Sequence, residues 1–284
     1  AALRSAQLGK SVALIEKDKL GGTCLHRGCI PTKALLHSAE VADVTKEAAA
    51  YGVGAQFTGI DMLAVNKYRD GIIDRLFKGL TGLVNSKAIN VVAGEGRLTG
   101  PKTVTVNGDQ YTGKNVILAS GSYSRSLPGL EIGGRVITSE TALQLDYVPQ
   151  SVIILGGGVI GVEFASVWKS FGSDVTIVEG LPSLVPNEDA SVSKALERAY
   201  RKRGINFKTG VRFSGVQQSE TGVVVTLENG DTLSAELMLV AVGRGPNTAG
   251  LGYEEQGVNM DRGFVLTNDR LQTNLDGCLL YTSP

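Results

Sequence analysis

The sequence predicts an α/β protein in which two βαβ units follow one another, and three observations support this fold class. Residues 151–155 are an apolar run that ends in a glycine-rich turn and leads into a helical pattern reaching Phe171. Residues 175–178 are a second apolar run, which ends at an acid. The same helix-then-strand order occupies residues 1–15, and we expect the first strand and turn of that unit to precede Ala1.

Length, charge balance and cysteine count limit the class of protein. At 284 residues the chain has room for about two domains. Lys plus Arg and Asp plus Glu each total 28, and this balance argues against a nucleic-acid binder. Apolar runs stay short of the ~18 residues that cross a membrane, and three cysteines do not suggest a secreted disulfide framework.

The pattern of apolar and turn residues predicts the other elements. They are helices over residues 1–8 (ending at Gly9), 25–40, 61–85 and 191–203, and strands over 11–15, 103–106, 116–118, near Val211, 223–227 and 237–242.

Gly156, Gly158 and Gly161 form G-x-G-x-x-G between the strand and the helix, the context this motif requires. The first glycine permits a tight turn, the second lets a pyrophosphate approach, and the third lets helix and strand pack. Glu179, about 20 residues on, ends the next strand. A carboxylate there accepts a hydrogen bond from a ribose 2′-OH and repels a 2′-phosphate, which favours NAD over NADP. The alternative interpretation is that Glu179 is a solvated acid at the end of a strand. Glu16 has the same place in the first unit.

Cys24 and Cys29 begin a predicted helix, whose N-terminus should lower a thiol pKa. In a regular helix, residues five apart are separated by ~7.5 Å of rise, too far for a disulfide. Either the pair is unbonded, or Cys24 lies in a turn or a distorted first turn, which Gly21, Gly22 and Gly28 would permit. Two buried free thiols are the alternative, and too few soft ligands accompany them for zinc.

These motifs resemble those of a known family. The run Gly21-Gly-Thr-Cys24-Leu-x-Arg-Gly-Cys29-Ile-Pro-Thr-Lys33-Ala-Leu-Leu is similar to the active-site signature of dihydrolipoamide dehydrogenases, which are class I pyridine nucleotide–disulfide oxidoreductases. Further segments resemble landmarks of the family in the family's order, at residues 94–96, 119–122, 127–129, 156–163 and 241–248.

The resemblance implies two Rossmann-like dinucleotide-binding domains. An FAD-binding domain would span residues 1–148, an NAD-binding domain would be inserted over 149–245, and residues 246–284 would begin the return to the flavin domain. Residues 278–284 occupy the place where the family has a strand and a flavin-binding Gly-Asp. Their sequence does not resemble the family, and we expect these residues to be non-native. The C-terminal dimerisation domain is expected to be absent.

By resemblance, Cys24 exchanges with a dithiol substrate, Cys29 contacts the flavin, and Lys33 lies near the flavin and pairs with Glu163. The implied flavin-binding residues are Glu16, Gly22, Thr23, Lys33, Gly96, Ser120, Gly121 and Ser122. The implied NAD-binding residues are Gly156, Gly158, Val159, Ile160, Gly161, Glu163, Glu179, Val211 and Gly243, and no metal is implied.

The implied reaction passes electrons from dihydrolipoamide to the disulfide, then to FAD and to NAD⁺. The implied partner is a lipoyl-bearing acyltransferase or lipoyl protein of a 2-oxo acid dehydrogenase or glycine cleavage complex. The intact protein would be a homodimer of the cytoplasm or mitochondrial matrix, with no membrane or nucleic-acid partner. Its catalytic His and Glu would lie in the dimerisation domain. Neither His26 nor His37 therefore takes that role, and we expect the 284-residue chain alone to be inactive.

The sequence leaves two alternative functions open. Mycothione, glutathione and mercuric reductases share the architecture, although Glu179 argues against NADP-linked members and the sequence has no second cysteine pair for mercury. A dinucleotide-binding module without turnover is the other alternative, and such a module would not need the Cys24–Cys29 pair.

Overall fold

The computed structural model describes residues 1–281. Its helices are α1 Ala2–Gln7, α2 Gly22–Arg27, α3 Cys29–Glu47, α4 Met62–Ser86, α5 Ser139–Ala142, α6 Val159–Phe171 and α7 Ala190–Arg203, with a 3₁₀ turn at Ala48–Tyr51. Its strands are β1 Ala13–Glu16, β2 Asn90–Ala93, β3 Arg97–Gly100, β4 Thr103–Val106, β5 Asp109–Thr112, β6 Val116–Leu118, β7 Ser122–Ser124, β8 Val136–Thr138, β9 Ser151–Leu155, β10 Asp174–Glu179, β11 Asn206–Thr209, β12 Phe213–Gln218, β13 Val223–Leu227, β14 Thr232–Ala235, β15 Leu237–Val240, β16 Arg244–Pro246, β17 Met260–Asp261, β18 Phe264–Val265 and β19 Cys278–Leu280.

The chain forms two compact units. The first contains residues 1–23, 74–123 and the chain from Gly245 onward, and the second contains residues 24–73 and 124–244. The predicted domains 1–148, 149–245 and 246–284 are drawn differently, because α3 packs against α6 and β8 pairs with β15, which places residues 24–73 and 124–148 in the second unit. Which nucleotide each predicted domain binds stays a prediction.

The second unit is built on a five-stranded parallel sheet in the order β11-β10-β9-β15-β8. Successive residues of β9 serve different cores, since Ile154 packs with Ile177 and Leu239 while Ile153 packs with Met238. A parallel sheet covered on both faces needs such continuous apolar strands. The carboxyl ends of β9, β10 and β15 therefore meet at one edge, where this class of sheet binds ligands.

The first unit contains several small sheets. Strand β1 pairs in parallel with β2, β3-β4-β5 form an antiparallel sheet, and β19 pairs in parallel with β6. Cys278 of β19 is buried in a core with Leu98, Leu118 and Tyr253. Residues 278–280 thus form the strand that the resemblance places here, and their expected foreign origin stays a prediction.

The predicted helix over 61–85 is confirmed as α4, whereas the predicted helix over 25–40 is divided by a break at the cysteines. Asp61 Oδ1 accepts the N–H groups of Leu63 (3.0 Å) and Ala64 (3.1 Å), and so caps α4 as the predicted helix over 61–85 requires. The helix predicted over 25–40 is confirmed over residues 29–40, but it is interrupted at Gly28, because α2 ends at Arg27 and α3 begins at Cys29. Pro31 lacks an N–H, which is tolerated only in a first turn, so a helix restart just before it is favourable.

The strand predicted near Val211 is also displaced, because β11 and β12 lie on either side of that residue. Within residues 1–281, none of the helices is long and apolar enough to cross a membrane.

Candidate functional site

The turn between β9 and α6 requires glycine at two of its motif positions for packing. Gly156 has φ +109°, and a Cβ there would lie 2.3 Å from the Ala241 carbonyl oxygen. A Cβ on Gly161 would lie 2.0 Å from the Gly156 carbonyl oxygen. Neither position can take a side chain unless the backbone moves.

Gly158 is different, because packing does not require it to be glycine. A Cβ there would have no atom within 4 Å. The residue is the N-cap of α6, and no side chain caps that helix end, where Val159 and Ile160 form the first turn. An uncapped helix N-terminus beside open space suits a phosphate group, which would accept the N–H groups that a cap otherwise binds.

Glu179 is held over this turn by both oxygens of its carboxylate. Oε2 accepts the N–H of Gly157 (2.7 Å), and Oε1 accepts the N–H of Leu181 (2.8 Å). A Cβ on Gly157 would lie 2.6 Å from Leu184 Cδ2, so a larger residue there would displace the Leu184 side chain. Gly157 is not among the residues predicted from the motif, although the three consecutive glycines at 156–158 are a signal for it.

Val211 and Gly243 complete the predicted nicotinamide set. The Val211 N–H donates to the Glu179 carbonyl oxygen (3.2 Å), which brings residue 211 to the end of β10. Gly243 has φ +111° and lies two residues after Ala241, whose carbonyl oxygen packs against Gly156. All the residues predicted to bind NAD lie in the second unit, most of them at the carboxyl edge of its sheet.

A helix break separates the two cysteines. Cys24 is the third residue of α2 and Cys29 is the first residue of α3, with Gly28 between the helices at φ −144°, ψ −108°. Both are exposed free thiols, so the alternative of two buried thiols is wrong, and their side chains hydrogen-bond to each other. The break places the two cysteines on separate helices, so the separation that a single regular helix imposes on residues five apart does not apply to them.

The expectation of a lowered thiol pKa is wrong for Cys24, whose pKa is raised above that of an ordinary cysteine. The largest cause is desolvation of the sulfur by the atoms packed around it. The hydrogen bond to the Cys29 thiol and the charge of Cys29 also raise it. The Cys29 backbone N–H and the Lys33 ammonium oppose these effects without outweighing them.

This shift predicts slow alkylation of Cys24 near neutral pH. Only the thiolate reacts, so a raised pKa moves the half-maximal rate with iodoacetamide to a higher pH than for free cysteine. Lys33→Met should move it further up, whereas Cys29→Ala should move it down. Mass-spectrometric rates at Cys24 in the reduced chain test this, and a half-maximal rate below that of free cysteine would contradict it.

Lys33 lies one helical turn after Cys29, and its Nζ is 2.6 Å from Glu163 Oε1 on α6. The predicted ion pair between these residues is therefore confirmed. Glu163 is the more buried partner, with a side chain 20% exposed. The pair joins the helix that carries Cys29 to the helix that begins at the glycine-rich turn, while the role of Lys33 toward a flavin stays a prediction.

Glu16 repeats in the first unit the local geometry of Glu179. Its Oε1 accepts the N–H of Asp18, two residues on, at 3.0 Å. Gly96 lies beside the same strand, and a Cβ there would be 3.1 Å from Ile15 Cγ2. The acid and the glycine are therefore brought together at β1.

The other predicted flavin residues of this unit lie in turns or at element ends. Ser120 is hydrogen-bonded to the buried Tyr253 hydroxyl, and the Gly121 carbonyl oxygen accepts the Asn247 N–H at 3.0 Å. Gly22 has φ +61° at the start of α2, Thr23 follows it, and Ser122 begins β7. Lys33, which is also predicted to lie near the flavin, belongs to the second unit with the cysteines.

The two histidines lie on different helices: His26 is in α2, between the two cysteines, and His37 is in α3. His37 Nδ1 is 3.2 Å from Glu40 Oε2 on the exposed side of α3. In the described part of the chain, no group of three or more His, Cys, Asp or Glu residues could hold a metal ion.

Comparison with known proteins defines the class. The family model described as pyridine nucleotide-disulphide oxidoreductase matches residues 1–279, and the chain belongs to this family. It is 41% identical over 292 aligned residues to the dihydrolipoyl dehydrogenase of Bacillus subtilis, an alignment that covers 96% of this chain and 62% of that protein.

Two solved structures are also similar. LpdA from Mycobacterium tuberculosis has a TM-score of 0.86 and 27% identity, covering 98% of this chain and 63% of that one. The HOCl-induced flavoprotein disulfide reductase RclA from Escherichia coli has a TM-score of 0.84 and 28% identity, covering 98% of this chain and 62% of that one. The chain thus spans less than two thirds of the length of these relatives.

Proposed function

We propose that this chain is the nucleotide-binding and disulfide-handling part of a dihydrolipoyl dehydrogenase, which oxidises protein-bound dihydrolipoamide and reduces NAD⁺. The observation that supports this most strongly is the pair of exposed, mutually hydrogen-bonded thiols of Cys24 and Cys29. The Lys33–Glu163 ion pair then joins the helix of Cys29 to the nucleotide-binding helix.

The residues of the second unit fit NAD. The open space at Gly158 suits a pyrophosphate, and the fixed Glu179 carboxylate suits a ribose 2′-OH. For FAD, the fit in this chain consists of Glu16, with its repeated strand-end geometry, and Gly96 beside it. We assign the two sets to Rossmann-like NAD and FAD domains, the first inserted in the second.

Bound FAD and NAD supply the two-electron transfer that amino-acid side chains lack. The protein's part is thiol–disulfide exchange. One thiolate of the dihydrolipoamide attacks Cys24 Sγ of the oxidised pair, and the Cys24–Cys29 bond breaks to release the Cys29 thiolate. The second thiolate of the substrate then displaces Cys24, which leaves lipoamide and two reduced cysteines.

The charges around Cys24 support its proposed role in thiol–disulfide exchange. Lys33 lowers the pKa of Cys24 and so opposes the desolvation that raises it. The proposed partner is a lipoyl-bearing acyltransferase or lipoyl protein of a 2-oxo acid dehydrogenase or glycine cleavage complex, and the intact protein would be a homodimer. Mycothione, glutathione and mercuric reductases remain alternatives within the family.

Thiol counting tests the proposal. The chain, oxidised with diamide and desalted, should gain two titratable thiols under denaturing conditions after treatment with dihydrolipoamide. Cys24→Ser should gain none, because the oxidised pair cannot form. Cys278→Ser is the matched control and should still gain two, since this cysteine is buried in the core of the first unit. An oxidised wild type that gains no thiols with dihydrolipoamide would argue for a binding module without turnover.

A further inference from the structure

The loop between β10 and α7 (residues 180–189) is held against the glycine-rich turn by contacts that the proposed function leaves without a role. Its central residue, Leu184, is fully buried. Leu184 Cδ2 occupies the space that a Cβ on Gly157 would need, at 2.6 Å from it. The leucine side chain therefore packs directly on the turn that carries the Gly157 N–H.

A second contact joins the same loop to the same glycine. The Val185 N–H donates to the Gly157 carbonyl oxygen at 2.8 Å. Val185 has φ +43°, a conformation that a β-branched residue adopts only when its surroundings enforce it. Gly157 is thus fixed on its carbonyl side by Val185 and on its N–H side by Glu179 Oε2.

Helix α7 supplies the groups that hold the loop in place. Glu197 Oε1 accepts the Leu184 N–H at 3.2 Å, and the Glu197 side chain is only 15% exposed. The Ser193 hydroxyl donates to the Val185 carbonyl oxygen at 3.2 Å. Glu197 Oε2 also meets Arg201 Nη2 at 3.4 Å, an ion pair on the exposed side of the helix.

We propose that Glu197 is a positioning residue for nicotinamide-nucleotide selection, acting through Leu184 and Gly157 to orient the Glu179 carboxylate. This inference rests on the proposed binding of NAD to the second unit. Glu197 does not touch the nucleotide. It holds the loop of residues 180–189, and this loop fixes Gly157. The Gly157 N–H in turn donates to Glu179, whose carboxylate accepts a hydrogen bond from the ribose hydroxyl. Without this support the Gly157 N–H no longer fixes Oε2, so the Glu179 carboxylate is held by the Leu181 N–H alone and can tilt, and NAD⁺ loses affinity more than NADP⁺ does.

A double-mutant cycle tests the proposal, with binding of NAD⁺ and NADP⁺ to the full chain measured by calorimetry. Glu197→Met should weaken NAD⁺ binding about fivefold, a size typical of coupled neighbours, with little change for NADP⁺. In a Glu179→Ala background the same change should have no further effect. Glu197→Gln keeps an oxygen that accepts the Leu184 N–H and should restore wild-type affinity. Arg201→Gln, the control for the ion pair, should also bind like wild type.

The outcomes separate this inference from the proposed function. A wild-type chain that binds neither nucleotide overturns both. A wild type that selects NAD⁺, with Glu197→Met unchanged or equally weakened in the Glu179→Ala background, overturns only the inference. If Glu197→Met fails to fold, Ser193→Ala decides the matter. This change removes the hydrogen bond from the Ser193 hydroxyl to the Val185 carbonyl oxygen. It should weaken NAD⁺ binding about twofold, again only when Glu179 is present.

Discussion

Alanine at Gly158 should weaken NAD⁺ binding by about 100-fold, or nearly 3 kcal/mol, with little effect on folding. A Cβ at this position meets no atom within 4 Å, so it would occupy only the space where we place the pyrophosphate. As an N-cap change it should cost stability of about 1 kcal/mol or less. Calorimetric titration with NAD⁺, alongside thermal unfolding of the same sample, measures both effects.

Alanine at Gly161 is the matched contrast. Its Cβ would lie 2.0 Å from the Gly156 carbonyl oxygen, and the helix can move away only by breaking its packing on β9. We expect a loss of about 3 kcal/mol or more in the free energy of unfolding. Wild-type NAD⁺ affinity in Gly158→Ala would show that the open space at the N-terminus of α6 is not the phosphate site.

Replacing Arg69 with methionine should destabilise the second unit by about 3 kcal/mol. Arg69 is 3% exposed, and its guanidinium donates to the Leu143 carbonyl oxygen and to Asn66 Oδ1 (2.8 Å) and pairs with Asp70 (2.8 Å). Methionine fills most of the volume but leaves that buried carbonyl without its donor.

Urea unfolding followed by far-ultraviolet circular dichroism measures this loss. Lys67→Met is the control, since Lys67 is an exposed residue of the same helix and should change the unfolding free energy by no more than about 0.5 kcal/mol. Equal midpoints for the two variants would contradict a stabilising role for Arg69.

The glycine-rich turn between β9 and α6 could be predicted from sequence because its requirements are local. Gly156, Gly158 and Gly161 lie within six consecutive residues, and Glu179 ends the very next strand. The ion pair between Lys33 and Glu163 is a long-range contact that spacing could not give, and only resemblance to relatives supplied it.

Features that depend on packing were missed. Helix periodicity does not reveal the break at Gly28, although Pro31 is a signal for it. The pKa of Cys24 depends on how many atoms surround the sulfur, which a helix-terminus argument ignores. Glu197 reads as a solvated helix acid, because its partner Leu184 lies in a loop whose course only the folded chain defines.

The strand-end turn shared by Glu16 and Glu179 has a consequence for the entropy of ligand binding. Each carboxylate already accepts the N–H two residues ahead, at 3.0 and 2.8 Å, and so has one preferred rotamer before any ligand arrives. Freezing a free glutamate side chain costs up to about 2 kcal/mol, and this chain meets that cost during folding. Because the turn needs only three consecutive residues, a duplicated βαβ unit inherits the preorganised acid with its strand.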